Sequence, residues 1–273
     1  MADSPKCVDL VLEGGGVKGI ALLGAVLELH EAGYSFPRIA GPIGDGVDLL
    51  LHDGMHTGDY LAEWLTPVLD EVDVRTFADL AIEDPESTLL PYQRYSLVVH
   101  VSDLTRRVLV RLPWDYSQYG RDPGEEKIVD AVRASMSIPF YFRPVQFGVR
   151  PEGTVTWVDG GLLSNFPITV FDRTDTKEPR WPTWGVKLSG EPVGGRDKPV
   201  KSALRIAIGS LETLLSDWNR YRSHEEGVNR RTVCVDTTGV SAVDFGLGEE
   251  EKKRLFENGR EAVRRFLEKI VPQ

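Results

Sequence analysis

The sequence has little cysteine, and this excludes two classes of protein. Only Cys7 and Cys234 occur among 273 residues, and both lie in apolar runs typical of strands. Two isolated thiols cannot form the several bridges of a disulfide-rich fold, and no cluster of His and Cys accompanies them to bind zinc. We therefore expect two core thiols, with no disulfide framework and no metal site.

A long apolar run is also absent. The longest one, around residues 20–29, is shorter than the roughly 20 apolar residues that a membrane-spanning helix needs. Residues 1–6 do not resemble a signal peptide. Together these absences predict a cytoplasmic protein.

Basic residues are fewer than acidic ones in this sequence. Lys and Arg number 32 against 42 Asp and Glu, which gives a net charge of -10 and a pI near 5.1. No basic stripe interrupts this acidic balance, so we expect no nucleic-acid partner. The hydrophobic fraction of 41% is instead typical of a soluble globular chain, and the length allows a sizeable core.

What is present is organised around a glycine-rich turn. Residues 8–12 are apolar and predict a buried strand, and residues 20–32 repeat apolar side chains at helical spacing. Between them lie Gly14, Gly15 and Gly16, which leave the turn without side chains. Backbone N–H groups there can face a bound atom, with the positive end of the helix behind them. This predicts an anion site, either for a phosphate or for the transient oxyanion of a reaction.

Two alternatives for this turn remain open at this point. Gly14, Gly16 and Gly19 satisfy the dinucleotide pattern G-x-G-x-x-G, but residues 34–39 offer no acidic side chain to bind a ribose. A Walker loop is excluded because no Gly-Lys-Ser/Thr follows. The other alternative is a tight strand-to-helix turn that binds nothing.

Apolar strands and amphipathic helices alternate along the rest of the chain without an internal repeat. Strands are predicted over 37–40, 95–101, 107–111, 155–158, 183–188 and 232–236, and helices over 60–68, 128–134, 202–224 and 249–269. This alternation predicts an α/β fold whose sheet is covered by helices on both faces.

Two further segments carry a specific pattern. Residues 133–142 read Arg-Ala-Ser-Met-Ser-Ile-Pro-Phe-Tyr-Phe, and residues 157–167 read Trp-Val-Asp-Gly-Gly-Leu-Leu-Ser-Asn-Phe-Pro. Together with Gly-Gly-Gly-Val-Lys-Gly at 14–19, they resemble the patatin-like phospholipase family over about residues 8–245. We expect a single patatin-like domain over residues 1–273.

The resemblance implies a doubly wound, mostly parallel three-layer α/β fold that hydrolyses lipid acyl esters with a Ser–Asp dyad. By resemblance, Asp159 is the base of the dyad. The implied oxyanion hole consists of Gly14, Gly15, Gly16 and Lys18. The implied supporting residues of the motifs are Gly19, Gly160 and Gly161. The implied partner is a lipid or other acyl-ester substrate, with a transient contact with a membrane surface, and no cofactor or metal is implied.

The nucleophile implied by the family is missing from the sequence. The family places a serine in a G-x-S-x-G elbow directly after the second strand, which here ends at Gly41. Residues 42–46 read Pro-Ile-Gly-Asp-Gly, and no G-x-S-x-G occurs anywhere in the chain. Residues 54–65, which are similar to a later family segment, follow almost at once. We therefore infer that a contiguous block carrying the nucleophile is absent between Gly41 and Pro42.

The other candidate nucleophiles and bases have simpler interpretations. Ser135, Ser137 and Ser164 are predicted to be capping or turn hydroxyls. The five histidines share no pattern, and His100 in a strand is predicted to be structural. The predicted function is a serine acyl hydrolase. The alternatives are a catalytically inactive lipid-binding or scaffold protein and a dinucleotide-binding protein.

Overall fold

The computed structural model describes residues 6–42, 58–83, 89–151, 153–173, 175, 179–189, 226–240 and 246–270. The fold is α/β, as predicted, with a mixed sheet of eight strands. The chain forms two compact units: the first contains residues 1–37, 44–50 and 166–273, and the second contains 38–43 and 51–165. The helix predicted over 202–224 lies outside the described residues.

All strand pairs described within the first unit are parallel. Numbered in chain order, its elements are β1 (Lys6–Cys7), β2 (Asp9–Leu12), α1 (Gly19–Glu31), β3 (Tyr34–Ser35), β9 (Thr183–Ser189), α5 (Glu226–Asn229), β10 (Thr232–Asp236) and α6 (Glu249–Ile270). Strand β9 pairs in parallel with β2 on one side and with β10 on the other. Strands β1 and β3 form a separate parallel pair.

Helices α1 and α6 pack closely because each presents a glycine to the other. A Cβ at Gly24 would collide with the backbone of Phe256, and one at Gly259 would collide with the backbone of Ala21. At the edge of this contact, Glu28 accepts a hydrogen bond from Arg264 at 2.8 Å. The two glycines therefore let α1, which begins at the predicted anion site, lie directly on the long terminal helix.

The strands of the second unit form both parallel and antiparallel pairs. Its elements are β4 (Ile39–Gly41), α2 (Asp59–Asp70), β5 (Leu97–Asp103), β6 (Val108–Leu112), α3 (Ile128–Ser135), β7 (Val145–Gly148), β8 (Thr154–Asp159) and α4 (Gly161–Ser164). Only β4 and β5 are parallel, whereas β5–β6, β5–β8 and β7–β8 are antiparallel. The sheet is therefore mixed, with parallel pairs beside antiparallel ones. The short connection at residues 104–107 explains the antiparallel pairing of β5 and β6, because so few residues can join only antiparallel neighbours.

Aromatic side chains fill the core of the second unit. Trp157 stacks on Phe147 with ring centroids 3.9 Å apart, and Tyr119 meets Trp157 edge-on at 5.2 Å. Trp157 is 1% exposed. Trp157 belongs to β8, the strand that ends at Asp159. The aromatic core therefore anchors the strand that carries the predicted base.

Two predictions made from missing sequence features can be compared with the structure. Within the described ranges, no helix is long and apolar enough to span a membrane. Cys7 and Cys234 form no disulfide. The prediction that both are core thiols is wrong, since Cys7 is half-buried and Cys234 is exposed. Side chains alternate between the faces of β10, and position 234 falls on its outer face.

Candidate active site

The glycine turn in the first unit presents backbone donors. Between β2 and α1, residues Gly16–Lys18 form one 3-10 turn. The N–H of Lys18 donates to the Gly15 carbonyl at 3.1 Å, and the N–H of Gly19 donates to the Gly16 carbonyl. The N–H groups of Gly15, Gly16 and Val17 have no partner among the described residues. Three adjacent donors at the start of a helix form a site suited to an anion.

Glycine is required at two positions of this turn for different reasons. Gly16 has a backbone φ of +53°, in the left-handed region that residues other than glycine rarely adopt. Gly15 is hemmed in, because a Cβ there would collide with Cδ1 of Leu188 on β9. A side chain at position 16 would be strained, and one at position 15 would displace the end of the Leu188 side chain, which accounts for the two central glycines.

A buried carboxylate, Glu13, and a half-buried ammonium group, Lys18, flank the glycine turn. Glu13, directly before the glycines, is 5% exposed, and its carboxylate accepts a hydrogen bond from the Leu188 N–H. Burial lowers the pKa of the Lys18 ammonium, and the negative charge of Glu13 acts in the opposite direction. Sequence reasoning identified Lys18 but missed Glu13, although a charged residue at the end of an apolar strand was a visible signal.

The second unit presents a hydrogen-bond acceptor, the carboxylate of Asp159. Asp159 ends β8, is 7% exposed, and accepts a hydrogen bond on Oδ1 from the Gly161 N–H at 2.5 Å. Its own N–H donates to the Ser137 carbonyl at 3.0 Å. These contacts hold the end of β8 and the Asp159 carboxylate in place.

Both glycines after Asp159 are required by close contacts. A Cβ at Gly160 would collide with the backbone carbonyl of His100. A Cβ at Gly161 would lie 2.7 Å from an oxygen of Asn165 and 2.7 Å from Oδ1 of Asp159. The Asp-Gly-Gly turn is thus pressed against β5 and folded tightly around its own carboxylate.

The register of β5 brings the ends of two other strands together. Strand β6 pairs with residues 99–103 of β5. Gly41 of β4 pairs with Val99, and Asp159 of β8 pairs with Val101. Because a strand edge holds only one neighbour at each residue, β4 and β8 both lie on the edge opposite β6. Their carboxyl ends meet there, two residues of β5 apart, which is about 7 Å.

His100 lies between these two strand ends on β5 but faces away from Asp159. Successive side chains of a strand point to opposite faces, and Asp159 shares the face of Val101, its direct partner. His100 is 1% exposed, and neither ring nitrogen has a hydrogen-bond partner within the described part of the chain. Burial lowers its pKa to about 4, while the nearby Gly41 backbone raises the pKa without completing a hydrogen bond of good geometry. His100 is therefore a neutral residue beneath the strand ends, and a Ser-His-Asp arrangement with Asp159 is excluded.

Two of the candidate serines are engaged in structural hydrogen bonds. Ser135 Oγ donates to the His100 carbonyl at 2.7 Å, and Ser137 Oγ donates to the Arg133 carbonyl at 2.9 Å. Both residues are buried. These contacts join the end of α3 to β5 and close its last turn, as expected of capping hydroxyls.

Comparison with known proteins identifies the class. The family model of patatin-like phospholipases matches residues 46–172, which include the Asp-Gly-Gly turn. The uncharacterized protein YqhO of Bacillus subtilis is 30% identical over 302 residues, covering 95% of this chain and 98% of YqhO. The uncharacterized NTE family protein MT2641 of Mycobacterium tuberculosis is 29% identical, covering 60% of this chain and 28% of that protein.

A solved structure agrees on the fold. The crystal structure of VipD from Legionella pneumophila has a TM-score of 0.53 with 16% sequence identity, covering 97% of this chain and 67% of VipD. The fold is thus shared with a structure of very different sequence, while the relatives and the family model define the class. The chain belongs to the patatin-like phospholipase family.

Proposed function

We propose that this protein hydrolyses acyl esters of lipids, with Asp159 as the base and the glycine turn as the oxyanion hole. The observation that carries the proposal is the meeting of the carboxyl ends of β4 and β8. A residue two positions beyond Gly41 would reach the level of Val101, on the same sheet face as Asp159. A G-x-S elbow that starts at Gly41 and turns away there would set its serine beside the carboxylate.

The chemistry then follows from the groups present. Asp159 accepts the proton of the serine hydroxyl as its oxygen attacks the ester carbonyl, and the carbonyl oxygen becomes an alkoxide. Backbone N–H groups of the glycine turn stabilise that alkoxide, and each such donor contributes about 3–4 kcal/mol of transition-state stabilisation. The proton passes to the leaving alcohol, and water activated by Asp159 then hydrolyses the acyl-enzyme. Family membership favours this interpretation of the turn over a dinucleotide site.

The position required for the nucleophile is occupied in the sequence by Ile43, which carries no hydroxyl. The lengths of the matched stretches support the inference that residues are missing from this chain, and the absent elbow motif is what points to Gly41. The alignment with YqhO extends over 302 residues and that with protein R571 of Acanthamoeba polyphaga mimivirus over 297, whereas this chain has 273. The relatives therefore carry residues within the aligned stretch that this chain lacks. The enzyme proposal requires a form of the protein that contains them.

The test is the intact mass of the protein purified from its source, followed by labelling with a fluorophosphonate. The sequence corresponds to 30.4 kDa. We expect a mass several kDa higher, a G-x-S-x-G peptide after digestion, and a label on that serine. The Asp159→Asn variant should react far more slowly with the probe, because its serine would lack a base.

A mass of 30.4 kDa with no labelled serine would overturn the proposal. The absence of G-x-S-x-G favours one alternative in that case, which is a catalytically inactive member of the family that binds lipid. Such a protein would bind a fatty acid or phospholipid analogue without turnover, as measured by calorimetry.

A further inference from the structure

Glu13 is a buried carboxylate for which the proposed reaction has no direct use. It follows β2 and precedes the glycines, and its N–H donates to the Val186 carbonyl of β9 at 3.0 Å. Its carboxylate reaches two residues further along β9 and accepts the Leu188 N–H. Backbone and side chain together thus tie the start of the glycine turn to one neighbouring strand.

The residue that Glu13 binds is the one that touches the turn. Leu188 Cδ1 occupies the space where a Cβ of Gly15 would lie. The hydrogen bond from the Leu188 N–H to Glu13 fixes the backbone that carries this side chain. The position of Gly15, whose N–H is one of the available donors, therefore depends on Glu13 through Leu188.

Glu13 also supplies charge. A buried carboxylate is costly without compensation, and a negative charge beside an oxyanion site would oppose anion binding. Lys18, at the other end of the turn, interacts electrostatically with Glu13 and provides the opposite charge. Glu13 also interacts electrostatically with Cys234 of β10, whose other charged neighbours include Lys187 of β9 and Lys269 of α6.

We propose that Glu13 is a positioning residue for the glycine turn. Its carboxylate holds Leu188 against Gly15 and balances the Lys18 ammonium, so that the backbone N–H groups alone define the anion site. This inference rests on the proposed function only for the role of the turn as an oxyanion hole.

The experiment compares Glu13→Gln with Glu13→Ala in the whole protein. Glutamine keeps an oxygen that accepts the Leu188 N–H but removes the charge, whereas alanine removes both. We expect Lys18, followed by NMR of ¹³C-methylated lysines, to titrate at a lower pH in Glu13→Gln than in the unsubstituted protein, because the negative charge of Glu13 raises the pKa of the lysine ammonium. The Leu188 amide should exchange at least tenfold faster with deuterium in Glu13→Ala and remain protected in Glu13→Gln.

Glu31→Gln is the matched control. Glu31 is a carboxylate of the same unit whose ion pair, with Arg260 at 2.5 Å, lies at the other end of α1. This substitution should leave both the Lys18 titration and the Leu188 exchange unchanged. If Glu13 had a structural role alone, the Leu188 exchange would be faster in Glu13→Ala, but the Lys18 titration would be unchanged in Glu13→Gln.

The proposal is overturned if Lys18 titrates identically in Glu13→Gln, or if Leu188 stays equally protected in Glu13→Ala. Should Glu13→Ala not fold, the glutamine variant still decides the question through Lys18. Neither measurement uses ester hydrolysis, so an unsubstituted protein without activity would count against the proposed function and leave this test intact. In an active preparation, Glu13→Ala should lower kcat with little change in KM.

Discussion

The two glycine turns of this molecule solve the same steric problem and present opposite chemistry. At Gly15 and Gly16 the backbone bends so that N–H groups remain without partners among the described residues. At Gly160 and Gly161 the backbone folds against β5, and the Gly161 N–H is used to bind the Asp159 carboxylate. The first turn offers donors, and the second offers an acceptor.

The difference shows what glycine contributes in each place. In the first turn the tight contact is with the end of the Leu188 side chain, and the main requirement is the left-handed conformation of Gly16. In the second turn Gly160 contacts a backbone carbonyl that has no freedom to move. We therefore expect the donor turn to tolerate small changes better than the acceptor turn.

The largest expected effect concerns the acceptor itself. In a preparation that hydrolyses a p-nitrophenyl ester, Asp159→Asn should lower kcat about 10³-fold, because a general base typically contributes a factor of 10²–10⁴. The fold should survive, since the asparagine oxygen can still accept the Gly161 N–H.

Asp122→Asn is the matched control for this variant. Asp122 accepts the N–H of Gly124 at 2.9 Å, the same contact two residues along the chain. Its replacement should leave the rate unchanged. Full activity in Asp159→Asn would refute the assignment of the base.

The next effect is on stability at the acceptor turn. Gly160→Ala should lower the free energy of unfolding by about 3 kcal/mol or more, because its Cβ collides with the His100 carbonyl and the β5 backbone cannot yield. Urea denaturation measures this, with Gly148→Ala on β7 as control. No atom lies within 4 Å of a Cβ at Gly148, so that change should stay within about 0.5 kcal/mol. Equal effects of the two variants would contradict the packing described for the turn.

His100 makes the acceptor region sensitive to acid. Burial lowers the pKa of its imidazole to about 4, whereas in the unfolded chain the group takes up a proton near its ordinary pKa of 6.5. Below pH 6.5 the unfolded state therefore binds more protons, and stability falls as the pH drops towards 4. This group alone should lower the free energy of unfolding by about 3 kcal/mol over that range.

The measurement is chemical denaturation at several pH values for the unsubstituted protein and for His100→Leu. The leucine variant should show a correspondingly flatter dependence between pH 6.5 and pH 4. His30→Gln, at an exposed position on α1, should retain the original dependence. Identical profiles for the unsubstituted protein and His100→Leu would show that His100 is not held neutral.

The smallest effect belongs to the donor turn. Gly16→Ala should cost about 1–2 kcal/mol of stability, the usual penalty for an L-residue in the left-handed region. Gly15→Ala should cost less, because Leu188 Cδ1 is the mobile end of a side chain. Thermal denaturation of the two variants gives their order. A larger loss for Gly15→Ala than for Gly16→Ala would contradict this order and would show that the Leu188 side chain cannot move.

Much of the fold could be predicted because local patterns agree with it. The strand predicted over 232–236 matches β10 at both ends, and the helix predicted over 249–269 is α6 to within one residue. Strand β7 was missed, since Val145–Gly148 is a short edge segment without a distinctive pattern. The roles of the site residues, Asp159 and Lys18 among them, remain predictions from resemblance that the proposed experiments address.

The sequence by itself determined the family, the glycine turn and the carboxylate before Gly160. Each depends on neighbours along the chain, such as glycines where a side chain would clash or adopt a disfavoured φ. Only the tertiary structure decided that the ends of β4 and β8 meet on one edge of β5, and that His100 faces away from Asp159. It also decided that Glu13 binds Leu188, 175 residues away in the chain. Such relations depend on strand register and pairing, which arise when distant segments bury their apolar faces together and leave no local signal in the sequence.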